Sequence, residues 1–312
     1  MLRTQHESSV AKMYILPWES ESMDIQPECV PCLMTRVLFQ ARLVDNGCEF
    51  RALSSALKTY SKEFGEGRNS AEVATAIHKT AYREMGVSDP YRELKIRSDE
   101  VASEFVERAR SSVRESKDGF KTAVLWSIIG NVMDFGSGIA IDHPDEFRKK
   151  IDALLAQGIS YDDTEEMKNA IKQSKTVIYI FDNCGEVQFD KILIDEIRKM
   201  GVRVVGVVRG EPILNDVSAI DVERVGIEKH LDCVLTTSQF AIGLDLQKIG
   251  TELKNEITGA GLIIAKGMAN FESLSDQTVD VPVTYMLRSK CVPVANALGV
   301  ETEKNVVRFR RK

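Results

Sequence analysis

Acidic and amide side chains follow two successive apolar segments of the sequence, and their types suit a divalent cation. Asp182 and Asn183 come directly after the apolar run TVIYIF, and Asp216 lies in the loop that follows the next run, VRVVGVV. Carboxylate and amide oxygens select hard cations such as Mg²⁺ or Mn²⁺. We therefore predict that Asp182, Asn183 and Asp216 hold one divalent metal ion.

Two cationic residues that follow apolar runs suit a phosphate group beside that ion. Arg209 follows VRVVGVV and Lys266 follows GLIIA, and either side chain can neutralise phosphate oxygens. Hydrolysis of a phosphate ester also needs a base, and without a histidine at these positions a carboxylate must take that role. Asp182, Asp216 and Glu186 are the candidate bases, and direct attack of Asp182 on phosphorus is the alternative.

Other interpretations of the same residues fit less well. Asp182 and Asn183 alone would more often cap the helix that follows them, but three segment ends with matched chemistry favour a site. The sequence contains neither the GxxxxGK[ST] phosphate loop nor a GxGxxG dinucleotide motif after an apolar run. A haloacid-dehalogenase phosphatase would carry a second acid two residues after Asp182, where this chain has Cys184.

The predicted secondary structure changes near residue 120, from helices alone to strands that alternate with helices. Before it, apolar residues recur at helical spacing; the predicted helices cover 32–44, 50–64, 70–85 and 91–115. A continuous apolar stretch, Lys121–Phe135, predicts a buried helix. Short β-branched runs then alternate with amphipathic stretches, which predicts a parallel sheet; the predicted strands cover 176–181, 202–208, 233–237, 261–265 and 281–287.

The expected fold class is therefore α/β: an open, mostly parallel sheet in an α/β/α sandwich, with a helical N-terminal region. We predict three parts. Residues 1–22 form a poorly ordered extension, and Met13 or Met23 is an alternative start. Residues 23–120 form a helical domain, and residues 121–312 form the α/β/α metal-binding catalytic domain.

Composition narrows the function classes. Hydrophobic residues make up 43% of the 312 residues and charged residues 28%, as in globular proteins. The net charge of −6 disfavours nucleic-acid binding. The basic C-terminal run is expected to be a solvated tail; it comprises Arg308, Arg310, Arg311 and Lys312. No secretory signal or membrane span is recognised, so we expect a cytoplasmic protein.

Six sequence stretches, taken in order, resemble the damage-control phosphatase family, which was long catalogued as a domain of unknown function. They are PECVPC (27–32), DPYRELK (89–95), GNVMDFG (130–136), FDNCGE (181–186), RGEPILND (209–216) and AKGMANFESL (265–274). The resemblance runs from about residue 29 to residue 300. It implies a divalent-metal phosphatase (Mn²⁺, Mg²⁺, Co²⁺ or Ni²⁺) acting on small phosphorylated metabolites such as sugar phosphates and damaged or overflow intermediates.

The resemblance also implies roles for individual residues. The metal ligands correspond to Asp182, Asn183 and Asp216. The substrate-binding candidates also lie in the matched stretches: Asn131, Asp134, Arg209, Asn215, Lys266 and Asn270. The family often has lysine where this chain has Arg209. Two alternatives remain open, a carboxyl methyltransferase that uses S-adenosylmethionine and a non-catalytic regulator that binds a metal or a sugar phosphate.

The pair Cys29 and Cys32 resembles a feature of one subgroup of this family. Two cysteines cannot complete a structural zinc site, which needs four ligands. We expect the pair to begin the first long helix and to pack there, with metal or redox use as the alternative. The histidines are isolated and are interpreted as surface or capping residues: His6, His78, His143 and His230.

Overall fold

Seven helices form the first part of the fold in the computed structural model, which describes residues 23–136 and 143–312. The predicted extension over residues 1–22 lies outside the described residues. The helices are α1 (Cys29–Val44), α2 (Glu49–Glu63), α3 (Ser70–Met85), α4 (Arg92–Ser103), α5 (Val106–Glu115), α6 (Gly119–Gly130) and α7 (Phe147–Gln157).

Local signals in the sequence account for the ends of these helices. The Asn69 side chain accepts hydrogen bonds from the backbone amides of Ala71 and Glu72, which caps α3 at its N-terminus. Gly86 ends the same helix in the left-handed conformation. The single helix predicted over 91–115 is wrong in one respect: the chain breaks between α4 and α5, where Phe105 packs edge-on against Phe147.

A seven-stranded sheet follows, and its order is β1-β7-β6-β5-β2-β3-β4. The strands are β1 (Tyr161–Asp162), β2 (Thr176–Ile180), β3 (Arg203–Val208), β4 (Cys233–Thr236), β5 (Leu262–Lys266), β6 (Val283–Ser289) and β7 (Lys304–Arg310). All neighbouring strands are parallel except β6 and β7. The predicted open, mostly parallel sheet is confirmed.

The expectation of a solvated basic tail is wrong for most of that segment. Arg308 and Arg310 belong to β7, which pairs with β6 along seven residues from Lys304 to Arg310. The Arg310 guanidinium donates to the backbone carbonyls of Leu274 and Ser275 and lies over the ring of Tyr285. Arginine stems can cover apolar surface while their heads find acceptors, so a basic sequence does not exclude a strand.

Helices cover both faces of the sheet. The later helices are α8 (Thr164–Gln173), α9 (Val187–Arg198), α10 (Val222–Val225), α11 (Thr251–Gly259), α12 (Gly267–Leu274) and α13 (Val292–Leu298). Val177 and Tyr179 of β2 face the core formed with α6 and α9, whereas Ile178 and Ile180 face α11, α12 and α13. This alternation along one strand produces the three layers.

The predicted buried helix is confirmed as α6, which carries the fully buried Trp126 and Ile129, but α6 ends at Gly130, so the predicted continuation over 131–135 is wrong. Residues of α1 and α3 share one hydrophobic core with α6 and α9. The division of the chain at residue 120 stays a prediction. Among the helices that the structure describes, none has both the length and the apolar character needed to cross a bilayer.

Candidate active site

The strand order places a crevice at the end of β2. The chain continues from β2 to β3 and β4 on one side, then returns to β5 and β6 on the other. Ligands of open α/β sheets bind at such a reversal, beyond the carboxyl ends of the strands. The loops after β2 and β3 carry most of the residues that the sequence singled out, while Lys266 ends β5 and Asn270 lies on α12.

Backbone hydrogen bonds join the loop after β2 to the loop after β3. The amide of Val217 donates to the carbonyl of Asp182 at 2.7 Å, and the amide of Cys184 donates to the carbonyl of Asn215 at 2.8 Å. Asn183 and Asp216 form an antiparallel bridge between these bonds. The three predicted metal ligands therefore lie together, while their ligand role stays a prediction.

Amide side chains hold one oxygen of Asp182. Oδ2 accepts hydrogen bonds from Nδ2 of Asn131 at 2.9 Å and from Nδ2 of Asn183 at 2.8 Å. The same two amide groups donate to Oε2 of Glu186 at 2.8 and 3.0 Å. The two shared amide groups thus orient both carboxylates. Because Nδ2 of Asn183 faces the carboxylates, the amide oxygen of Asn183 points away from them.

Arg209 lies behind the two aspartates and is 1% exposed. Its Nε donates to Oδ2 of Asp216 at 2.7 Å, and its Nη2 is 3.7 Å from Oδ1 of Asp182. Its Nη1 donates to the carbonyl of Gly243 and to Oδ1 of Asn270. These contacts give Arg209 a positioning role for the aspartates, and its predicted contact with substrate phosphate stays a prediction.

The aspartates are crowded with negative charge. Burial raises the pKa of Asp182 well above its usual range, and the charges of Asp216 and Glu186 raise it further. Burial likewise raises the pKa of Asp216, although the Arg209 guanidinium opposes this shift. A cation bound here would relieve both the burial cost and the repulsion.

A cavity of about 440 Å³ opens onto this pair. Four predicted site residues line its wall: Asp134, Asp182, Asn183 and Asp216. The other predicted residues are buried beside the site but are not among the described residues that line the cavity: Asn131, Glu186, Arg209, Asn215, Lys266 and Asn270. Of these, Asn215 donates to the carbonyl of Met133 at 2.6 Å, which joins the loop after β3 to the stretch GNVMDFG (130–136).

Two cations on the cavity wall were missed by the sequence analysis. Arg36 of α1 lies 3.1 Å from Oδ1 of Asp134, and Nζ of Lys290 lies 2.9 Å from Oδ2 of the same carboxylate. Burial acts to raise the pKa of Asp134, but the two cations outweigh it and lower that pKa to about 2. Lys290 directly follows β6, so the strand-end rule applied to the fifth predicted strand identifies it; nothing local signals Arg36.

Lys266 occupies a closed ion cluster. Its Nζ bonds to Glu186, to Oδ1 of Asp190 at 2.7 Å and to the carbonyl of Ser127 at 3.2 Å. Burial acts to lower the pKa of Lys266, but Asp190 and Glu186 outweigh it and raise that pKa. These contacts favour a structural role, and the predicted contact of Lys266 with phosphate stays untested.

We expect Lys266→Met to lower the free energy of unfolding by about 3–5 kcal/mol, because it leaves Glu186 and Asp190 buried without their cation. Urea titration of the variant measures this loss. Lys199→Met is the control, since Lys199 forms only an exposed pair with Glu196 and should cost less than about 1 kcal/mol. A stable Lys266→Met protein with a raised KM would instead support the phosphate-binding prediction.

The cysteine pair begins α1, as predicted, and all six cysteines are free thiols. Cys29 and Cys32 line the cavity together with Cys291. His143 caps the turn before α7, as expected. The surface assignment of His78 is wrong: it is fully buried on α3, bonded to Gln40, and burial lowers its pKa to about 3.

Comparisons with known proteins show the family of this chain. The sequence matches the Damage-control phosphatase ARMT1-like domain over residues 25–306. The chain belongs to the damage-control phosphatase family. It is 37% identical to a damage-control phosphatase of Archaeoglobus fulgidus over 280 residues, covering 89% of this chain and 96% of that relative.

Another damage-control phosphatase, from Pyrococcus horikoshii, is 33% identical over 281 residues, which cover 89% of this chain and 95% of that protein. The crystal structure of a DUF89 family protein from the same organism aligns with a TM-score of 0.79 and 30% identity, over 91% of this chain and 98% of that one. The resemblance recognised in the sequence motifs is thereby confirmed, and homologues named phosphatases indicate phosphatase chemistry.

The donor set of this site fits a divalent cation. Hydrogen bonds engage Oδ2 of Asp182 and of Asp216, whereas Oδ1 of each accepts none from the described residues. Both Oδ1 atoms and the Asn183 amide oxygen are hard donors. Within residues 23–136 and 143–312, no three His, Cys, Asp or Glu side chains form a metal-binding group; the proposed ligand set has two carboxylates and one amide.

Proposed function

We propose that the chain is a divalent-metal-dependent phosphatase that hydrolyses phosphate monoesters of small metabolites. The observation that supports this most is the composition of one cavity wall: Asp182, Asn183 and Asp216 share it with Arg36 and Lys290. Oxygen donors for a cation therefore lie beside two cations for an anion. Sugar phosphates and damaged or overflow phosphometabolites are the substrates that the family resemblance suggests, and the cytoplasm is the proposed compartment.

In this proposal, the residues of the site have separate roles in phosphate hydrolysis. A divalent ion held by Asp182, Asn183 and Asp216 would supply Lewis-acid stabilisation of the phosphoryl group. Lys290 and Arg36 neutralise phosphate oxygens, and Asp134 holds both cations in place. Arg209 and Asn131 keep the aspartates in position from behind. Most of the barrier reduction in phosphoryl transfer comes from such positioning and charge neutralisation.

A carboxylate accepts the proton of the attacking water in this proposal. Glu186 bonds to Lys266, Asn131 and Asn183, so its oxygens are already occupied. Asp182 and Asp216 line the cavity and each keep one oxygen without a hydrogen bond from the described residues. Because the ion would also draw on these free oxygens, we assign the base to the aspartate of this pair whose free oxygen does not coordinate the ion.

The experiment is phosphate release from a panel of phosphomonoesters by chelator-treated protein. We expect added Mn²⁺, Mg²⁺, Co²⁺ or Ni²⁺ to raise the rate by more than about tenfold, and excess chelator to abolish it again. Phosphate release that is unaffected by chelation contradicts the metal dependence. Binding of metal and phosphate ester without turnover would instead favour the regulator, and methyl transfer from S-adenosylmethionine under the same conditions would favour the methyltransferase.

A further inference from the structure

Apart from the charged residues at its buried end, the wall of the cavity is mostly apolar. The apolar side chains come from several elements, which include α1, α3, α12, α13 and the loops between strands: Leu33, Ala74, Leu214, Ile242, Met268 and Pro293. Leu33 and Leu214 are buried members of the main hydrophobic core. The wall is thus an extension of the core and not a loose surface groove.

The polar groups within this wall carry little charge and are partly engaged. His78 bonds to Gln40, and its lowered pKa keeps the ring neutral. The Glu272 carboxyl accepts a hydrogen bond from Ser70 at 3.0 Å, and burial raises the pKa of Glu272 to about 7. Nε2 of His78, which has no hydrogen-bond partner among the described residues, is therefore one of the few polar atoms that remain for the hydroxyls of a polyhydroxylated substrate.

Three thiols complete the wall. Burial raises the pKa of Cys29 to about 11 and that of Cys291 to about 12, and burial also raises the pKa of Cys32. Uncharged thiols behave as small hydrophobic groups with weak hydrogen-bonding capacity. They therefore extend the apolar wall and do not provide the donors and acceptors that a sugar needs.

Apart from Glu272, the charged residues that line the cavity lie at its two ends. Arg36 and Lys290 share Asp134 at the buried limit, where the metal-ligand candidates also lie. At the mouth, Glu28 and Glu303 are exposed to solvent, and Glu303 pairs with Arg288. A phosphate group therefore fits the buried limit, and the alcohol part of a phosphate ester would lie along the apolar wall between the two.

We infer, on the basis of the proposed phosphatase function, that the preferred substrates are phosphomonoesters whose alcohol part is apolar, and not sugar phosphates. A cavity of about 440 Å³ is within the usual range for small-molecule sites. Each methylene group buried against the wall favours binding by about fourfold. Each sugar hydroxyl buried there without a partner disfavours the transition state by roughly tenfold to a hundredfold.

The test compares two esters of matched size and leaving group with metal-loaded protein. Cyclohexylmethyl phosphate and glucose 6-phosphate are both esters of a primary alcohol on a six-membered ring, so they differ chiefly in hydroxyl groups. We expect kcat/KM to be at least about tenfold higher for cyclohexylmethyl phosphate. In a series of ethyl, butyl and hexyl phosphates, kcat/KM should rise with chain length.

A matched pair of variants tests whether the preference for the apolar ester arises in the cavity. Val292 lines the mouth and is 51% exposed, whereas Leu57 is 54% exposed on α2 and lies outside the described wall. Val292→Asn should reduce the ratio between the two esters severalfold, and Leu57→Asn should leave it unchanged. Both positions are half exposed, so both variants should fold.

The outcomes separate the two proposals. Release from both esters with glucose 6-phosphate preferred, or with equal kcat/KM, overturns the inference and leaves the phosphatase function standing. Failure to release phosphate from any ester with any of the four metals overturns the proposed function, and the inference with it. A preference for the apolar ester that Val292→Asn and Leu57→Asn alter equally would also count against this cavity.

Discussion

Asp182→Ala is expected to lower metal-dependent phosphate release by on the order of 10³-fold while the fold stays intact. The substitution removes one of three proposed metal ligands and one of two proposed bases. Stability without metal should be unchanged or slightly higher, because Asp182 is buried beside Asp216 and its charge is disfavoured there. Steady-state phosphate release and thermal melts with and without Mn²⁺ measure both effects.

The metal response of the melt is the sharper readout. A ligand that binds only the native state at about 100 times its Kd stabilises it by about 2.7 kcal/mol, and Asp182→Ala should lose most of this gain. Asp152→Ala is the control, since Asp152 is exposed and pairs only with Arg108 on the surface. Near-normal turnover by Asp182→Ala, or an undiminished thermal shift with Mn²⁺, is incompatible with the proposed site.

The sheet and the placement of Asp182 beside Asp216 were predictable because they depend on local sequence patterns. Each of the five predicted strands is a short β-branched run, and the structure contains a strand in each. The strand-end rule then places Asp182 and Asp216 together, because β2 and β3 are parallel neighbours. No tertiary information was needed for either step.

The remaining parts of the site depend on long-range packing. Arg36 reaches the cavity from α1, a helix distant in sequence from Asp134, and its neighbours show no motif that signals a ligand. Lys266 lies at the end of β5, where the rule places a candidate, yet its side chain turns towards Glu186 and Asp190 on the side of α9. Position after a strand therefore predicts proximity to the site, but not the direction of a side chain.

The strands β1 and β7 were the other omission. β1 has two residues, too few for a periodic signal, and β7 carries charged residues at three of its seven positions. β7 forms because its backbone pairs with both β1 and β6, and its apolar residues Val306 and Val307 are fully buried. Neighbouring strands supply this stabilisation, which no window of a single sequence contains.

Gly267→Ala is expected to lower activity by about 100-fold or more and to destabilise the protein by roughly 2–4 kcal/mol. Gly267 begins α12 with φ of +75°, a conformation that disfavours residues with a Cβ atom. An added Cβ would overlap the Asp182 carboxylate and lie 2.9 Å from Cβ of Asp182. The carboxylate would have to move, and with it the hydrogen bonds from Asn131 and Asn183.

Gly226→Ala is the control that separates the cost of the strained backbone conformation from the cost of the overlap with Asp182. Gly226 has a similar φ of +66°, but a Cβ added there meets no atom within 4 Å. It should therefore cost about 1–2 kcal/mol in unfolding free energy and leave phosphate release and the Mn²⁺ thermal shift unchanged. Because the two glycines share the strained conformation, any additional loss in Gly267→Ala reports the displacement of Asp182. Equal activity in the two alanine variants would mean that the position of this carboxylate does not limit catalysis.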